Sequence, residues 1–546
     1  MIPPSPPRPG AAKMTTPPPA RPWLRELPVA LGALGGALGL WWMGRAWVLD
    51  GTFVGYRWPD YVAEAMVVAA RQANLYDPFR HPLHGAVLAA LGEMLGRYSD
   101  AAVLISSVST LALVLAAALA GRALGGPWAG GLAALTVPWT HTAAWMSRWA
   151  NSYALLSGLG GLSLGLAVAA ARWPGLIFAA GAGLAGGLAW GVDTRGLLFA
   201  PAAAALVLLG ATAPGLGWRR WLMPPLFALG MAVGPYSVEA LGQTDQHAMS
   251  EAEKLRHQRG VVHRWVQIAP RAEVISACAT MTEDQLLTRE YLSTPCAKAV
   301  LRHNLEDQLP GQAPFGRWTA LAIVLALLPG GRGLRGSLEG LFSVVAPAAA
   351  ITAFALITPL PERYLAPMGF PLALAVPVAL ARLAALAPAR AQTALTGAAM
   401  LLAAAFAWLG DPANRHKPSP EQLDPQYGRW SRAAAGVTAR LTPEEPYLDC
   451  SLQYVDLGML PERRHNLPLM NTGAPSMTDD HAQACLAWVQ AGVGAVSVDR
   501  SLKVEYAPVR GGPKRRVDLG ATLEAHGGWT KVWSIGDFEL WRGGTP

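Results

Sequence analysis

The chain has 546 residues, 52% of them hydrophobic and 15% charged, with a formal net charge of +8. A soluble domain carries about 25% charged residues, and here the apolar residues gather into charge-free runs of the roughly 20 residues that cross a bilayer. An ordinary soluble enzyme is excluded, and a basic excess without an aromatic-interleaved basic patch reads as membrane topology and not as nucleic-acid binding.

Residues 1–26 form a Pro-rich leader carrying Arg8, Lys13, Arg21 and Arg25, expected to be disordered. The apolar run from Leu27 to Gly44 is too long for a signal-peptide core and lacks a small-residue cleavage site, so it reads as a retained first span. About eleven candidate spans follow from the apolar runs: 27–46, 101–121, 127–146, 152–171, 174–192, 196–213, 221–238, 317–331, 340–359, 364–384 and 391–410. The 317–331 run is short. A polar loop, 47–99, follows the first span, and its apolar part 83–97 is broken by Glu93, which suits an interfacial helix. A polar insert occupies 239–316. The expected class is a polytopic α-helical membrane protein, with 27–410 as its membrane domain.

Orientation follows from Lys and Arg in the short loops. With the N-terminus inside, the inside loops carry Arg122, Arg172, Arg219, Arg220, Arg332, Arg335 and Arg390, against Arg148, Arg195 and Arg363 outside. This places the 47–99 loop, the 239–316 insert and the whole 411–546 region outside the cytoplasm. The four cysteines agree with it. Cys278 and Cys296 lie in the insert, Cys450 and Cys485 in the C-terminal region, and none in the apolar runs where unpaired cysteine is at home. Disulfides persist in oxidising compartments. The within-region pairs are Cys278–Cys296 and Cys450–Cys485, although spacing alone does not decide connectivity and four unrelated thiols is the competing reading.

The 411–546 region reads as a small α/β domain. Helices are expected at Ser431–Leu441 and His481–Gln490, strands at Tyr447–Ser451 and Gly494–Val498, and a hairpin at Val532–Trp541 turning on Gly536-Asp537. No G-x-G-x-x-G follows a strand, so a nucleotide site has no support.

Chemistry-bearing residues gather in the first outside loop. It holds Asp50, Asp60, Tyr61, Asp77, His81 and His84, close to the membrane face. A carboxylate there suits a general base or a divalent-metal ligand, whereas Asp50 before Gly and Asp77 before Pro also suit turn caps. His81 and His84 stand three apart, a weak metal pattern that packing explains as well. Asp193, outside by the same topology, reads either as a second acid or as an ion-pair partner of Arg195. The insert's His247, His257, His263 and His303 lack zinc-ligand spacing, and a disulfide-closed cap over the active face is the expected role of the insert.

The order of these features resembles the GT-C superfamily of membrane glycosyltransferases, which includes protein O-mannosyltransferases and bacterial lipid A aminoarabinose transferases. A basic leader, a first span, an acidic loop, Tyr76-Asp77-Pro78-Phe79-Arg80-His81-Pro82-Leu83 and an apolar helix open the chain in that order. In relatives the acid at the start of this loop is catalytic, often as Asp-Glu; here Asp60 takes that place and Tyr61 stands where the second acid would be. His81-Pro82-Leu83 is similar to the family's His-Pro-Pro. Pro361-Glu362-Arg363-Tyr364-Leu365-Ala366-Pro367 resembles its Arg-Tyr-x-x-Pro, at the outer start of a late span where a guanidinium suits a lipid-linked phosphate. One departure concerns a further acid carried by many relatives, where this chain has Asn151.

The resemblance implies a GT-C-like fold of about eleven transmembrane helices plus the small extracytoplasmic α/β domain, in a bacterial inner membrane with the N-terminus cytoplasmic. It implies transfer of a sugar from a polyprenyl-phosphate donor to an envelope lipid, glycan or protein acceptor at the outer face. Asp60 would be the catalytic residue, with Arg363, Tyr364, His81, Tyr61, Glu362 and Asp193 in substrate binding. No cofactor is required by this scheme, although a divalent metal at the leaving phosphate is compatible with it. A non-enzymatic transporter or assembly protein for envelope polymers, or an inactive GT-C-like pseudoenzyme, is the alternative. The transporter is disfavoured because ionisable residues are nearly absent from the spans.

Overall fold

The computed structural model describes residues 22–44, 48–49, 52–53, 81–95, 98–140, 152–242, 271–308, 313–355, 365–410, 436–450, 479–500, 504–506 and 515–544, apart from a few positions within these ranges, together with a few single positions between them. A helix lies in every candidate span. α1 is Pro22–Gly44, α2 Leu83–Leu95, α3 Tyr98–Gly125 and α4 Pro127–Thr136. α5 is Ser152–Arg172, α6 Leu176–Val192, α7 Ala200–Ala211, α8 Arg219–Met231 and α9 Val233–Gly242. Backbone groups have no water to bond in hydrocarbon, so long apolar runs satisfy themselves as helix.

By length and composition, four described helical stretches can cross a membrane: Ala101–Gly125, Ser152–Arg172, Thr194–Ala211 and Gly333–Ala353. Leu176–Val192, Gly369–Ala384 and Ala391–Ala405 are shorter apolar helices. The expected spans differ from the observed helices in identifiable ways. The run expected over 127–146 is α4 followed by a tight 3-10 turn, Val137–Trp139, around Pro138. The 221–238 run is divided at Ala232 into α8 and α9. The helix expected from 340 starts two turns earlier, at Gly333, and contains a π turn over Leu341–Val345.

Small residues let the helices pack backbone to backbone. A methyl group at Gly183 on α6 would collide with the Phe227 carbonyl oxygen of α8, and one at Gly131 on α4 with that of Pro28 on α1. The core is accordingly rich in alanine, with Leu113, Leu164, Phe199, Leu206 and Phe370 as its larger members.

In the insert, α10 (Ala272–Cys278) and α11 (Pro295–His303) are joined by the Cys278–Cys296 disulfide over a small core of Val274, Leu286, Tyr291 and Val300. Three further membrane-domain helices precede the last two: α12 (Trp318–Leu325), α13 (Gly333–Gly340) and α14 (Ala346–Ala355). α15 (Gly369–Ala384) and α16 (Ala389–Gly410) complete the set.

The C-terminal region holds a four-stranded sheet. Short strands β1 (Val48–Leu49) and β2 (Thr52–Phe53) belong to the first loop; the sheet begins with β3 (Tyr447–Cys450). β3 runs parallel to β4 (Ala495–Asp499), and β4 pairs antiparallel with the last strand. After the β5 (Val504–Tyr506) and β6 (Arg515–Val517) hairpin, β7 (Trp529–Ile535) and β8 (Phe538–Gly543) close the order β3-β4-β8-β7. The β7–β8 turn falls on Gly536-Asp537, with Gly536 at a φ of +59°. Two helices flank the strands, α17 (Asp479–Ala491) and α18 (Leu519–His526), and Cys450–Cys485 ties β3 to α17. The helix expected over 431–441 lies mostly outside the described residues.

Candidate functional site

Asp60, Tyr61, Glu362, Arg363 and Tyr364 lie outside the described residues, as do Asp50, Asp77 and Asn151. His81 and Asp193 are described, and the structure brings them into one cluster at the end of the bundle where α2 and α5 begin and α6 ends.

His81 precedes α2, with Pro82 fixing the first turn through its carbonyl bond from the Ala86 N–H. Its Nδ1 lies 2.5 Å from the Trp190 carbonyl oxygen. A carbonyl only accepts, so Nδ1 carries the proton. The Thr194 hydroxyl is 3.1 Å from Nε2, so in the neutral ring that hydroxyl donates to Nε2. Trp190 lies in the last turn of α6, where backbone carbonyls lack helical partners. The imidazole therefore caps α6 and pins the end of the first loop to it. His84 is almost wholly buried on α2.

Asp193 ends α6 and caps the following 3-10 turn, Thr194–Leu198, by accepting the Arg195 backbone N–H at 2.8 Å. The Arg195 guanidinium then grips both carboxylate oxygens, Nε to Oδ1 at 2.8 Å and Nη2 to Oδ2 at 2.5 Å. Such a fork is geometrically specific and strong. Arg195 Nη2 also donates to the Tyr153 hydroxyl at 3.1 Å, and the guanidinium carbon lies 4.7 Å from the Tyr153 ring centroid. Burial pushes the Asp193 carboxyl up, but the Arg195 charge and hydrogen bonds, helped by His81, outweigh it and hold the group below the ordinary carboxylate range. Asp193 is thus an ionised ion-pair partner, a poor general base with both oxygens engaged.

Tyr153 and Thr194 are the members that sequence reasoning did not single out. Thr194 lies beside a residue that it did, but no local pattern links Tyr153 on α5 to the end of α6. Of the insert's histidines, His303 bonds Asp307 at 2.9 Å, and His247, His257 and His263 lie outside the described residues. Among the described residues, no three His, Cys, Asp or Glu side chains are grouped to hold a metal ion.

No protein-family model matches the sequence, and no curated protein matches it. Solved structures do match. ArnT from Cupriavidus metallidurans in the apo state superposes with a TM-score of 0.57 at 15% identity, over 93% of this chain and 97% of that one. The same protein bound to undecaprenyl phosphate gives 0.56 at 15% identity, over 95% and 97%. The oligosaccharyltransferase of Archaeoglobus fulgidus follows more distantly, with a TM-score of 0.46 at 12% identity over 91% and 75%. At this identity the likeness is one of fold: the chain shares the fold of ArnT over almost its whole length.

Proposed function

We propose that the chain is a glycosyltransferase that moves a sugar from a polyprenyl-phosphate donor to a lipid, glycan or protein acceptor of the envelope. The observation that carries this reading is the end-to-end fold likeness to ArnT, whose structure is described bound to undecaprenyl phosphate. The sequence supports it independently. Asp60, His81-Pro82 and Arg363-Tyr364 occur in the order and the loops where GT-C enzymes carry their working groups.

In this scheme Asp60 accepts the proton of the acceptor hydroxyl, or orients it, as that oxygen attacks the anomeric carbon and the lipid phosphate leaves with the bonding pair. Arg363 holds the leaving phosphate, its planar fork matching two phosphate oxygens. Tyr364, Tyr61 and Glu362 shape the same pocket. His81 acts at one remove: it ties the loop that carries Asp60 to the end of α6. Asp193 keeps Arg195 neutralised and oriented beside it. No step is assigned to a divalent metal.

The membrane placement belongs to the same reading: a multi-pass protein of a bacterial inner membrane, N-terminus cytoplasmic, insert and C-terminal domain outside. A lipid-linked donor suits that face, where nucleotide sugars are not normally supplied. Asn151, at a position where many relatives carry an acid, keeps the inactive GT-C-like protein as the second reading. Turnover of a panel of polyprenyl-phosphate sugars by the purified protein tests the proposal; binding without turnover of any of them would favour the second reading.

A further inference from the structure

The end of the bundle opposite His81 carries a different cluster, built from the last turns of α5, α7 and α15 and the start of α13. Glu339 is 1% exposed and is ion-paired with Arg332 and, at 3.7 Å, with Arg335. Arg382 on α15 is 2% exposed, and its two terminal nitrogens donate to the carbonyls of Pro329 and Gly336 at 3.0 Å each. Its guanidinium occupies space that a side chain at Gly330 or Gly336 would fill. Arg335 Nη2 donates to the carbonyls of Ala171 and Leu209, at 2.9 and 3.0 Å, and so closes the ends of α5 and α7. Arg382 and Arg335 are therefore committed to the frame.

Arg172 is not. It is exposed at the end of α5, within electrostatic reach of Arg332 and Arg335, and its side chain has no hydrogen bond or ion pair among the described residues. Four guanidinium groups, those of Arg172, Arg332, Arg335 and Arg382, share the single carboxylate of Glu339. The negative ends of α5 and α7, about half a charge each, offset only part of that excess. Arg219 and Arg220 begin α8, with Trp218 and Trp221 exposed by 64% and 70%. Exposed tryptophan with arginine at the ends of apolar helices marks the headgroup level of a bilayer.

We infer that the exposed Arg172 guanidinium, flanked by Arg332 and Arg335, binds the phosphate of an anionic phospholipid headgroup from the adjoining leaflet. The uncommitted guanidinium supplies a fork for two phosphate oxygens. The Arg332–Glu339–Arg335 arrangement holds the neighbouring positive charges in place, and the tryptophan belt sets the depth.

The test is native mass spectrometry of the full-length protein in neutral detergent, with phosphatidylglycerol, phosphatidylcholine or inorganic phosphate added separately. Wild type is expected to retain phosphatidylglycerol about tenfold better than phosphatidylcholine, the equivalent of one charge-assisted contact. Arg172→Gln is expected to abolish that preference, Arg172→Lys to keep part of it, and the Arg219→Gln/Arg220→Gln double variant to keep most of it. Unfolding midpoints within the wild-type range, expected at so exposed a position, verify that the variants are folded. Equal retention of both lipids, or an undiminished preference in Arg172→Gln, would overturn the inference. Arg172-dependent binding of inorganic phosphate with no lipid preference would also overturn it, by making the ligand a soluble anion.

Discussion

His81 and Trp190 stand 109 residues apart, yet the His81 imidazole meets the Trp190 carbonyl through Nδ1. That contact makes the end of the first loop part of the α6 terminus. Replacing His81 with Ala removes a partner from a helix-end carbonyl and is expected to cost about 1–2 kcal/mol. His81→Asn can place its amide nitrogen near the Nδ1 position and should recover most of the loss. Unfolding midpoints of the two variants decide it; equal destabilisation by both would show that ring packing, and not the hydrogen bond, is what matters.

The Asp193–Arg195 pair predicts a pH signature. The folded Asp193 pKa is depressed, so the pair's contribution is fully present above the unfolded value, about 3.9, and is lost as pH falls through the lower folded value. Asp193→Asn leaves Arg195 without its carboxylate and should lower stability at pH 7 by about 2–3 kcal/mol. The gap between wild type and variant should shrink in acid below about pH 4. Midpoints measured across that range check the sign; a gap that widened in acid would contradict the ion-pair account.

The disulfides bridge sequence separations of 18 and 35 residues. Loop-closure entropy assigns them about 3 and 4 kcal/mol respectively. Protein isolated from an oxidising compartment should show no cysteine alkylation before reduction and four modified cysteines after reduction and unfolding. Reduction should loosen the insert and the C-terminal sheet separately, because each bond closes within one of them. Free thiols at all four positions in native protein would contradict both the pairing and the extracytoplasmic placement.

Close helix contact at Gly183 makes another test. Gly183→Val places branched carbons against the Phe227 carbonyl, and is expected to cost about 1–3 kcal/mol or more by forcing α6 from α8. Substitution at Gly215, whose surroundings are open but whose φ is +83°, should cost less, from backbone strain alone. A reversal of that order in the measured midpoints would mean that α6 and α8 can separate freely.

Much of this architecture is legible in the amino-acid sequence because hydrocarbon forces apolar runs into helix. The β7–β8 hairpin is legible because Gly536-Asp537 separates two strand-like runs, and the helix at 481–490 appears with the bounds Asp479–Ala491. Other elements have weaker local signals. The eight-residue α18 is shorter than a helical period can reveal, and its start depends on the Asp518 side chain capping Ala521. The π turn at Leu341–Val345 has no composition of its own. At the candidate site, Asp193 and Arg195 stand two residues apart and their pairing is readable. Tyr153 joins them from α5 across 42 residues, a contact that only the packed helices create.

Whether Asp60 serves a polyprenyl-phosphate-dependent glycosyl transfer is decided by donor-lipid turnover of wild type and Asp60→Asn, purified in parallel. Wild type is expected to consume at least one polyprenyl-phosphate sugar, and Asp60→Asn, with an unchanged unfolding midpoint and intact donor binding, to lose turnover by about 100-fold or more. A folded Asp60→Asn protein with full turnover would contradict it.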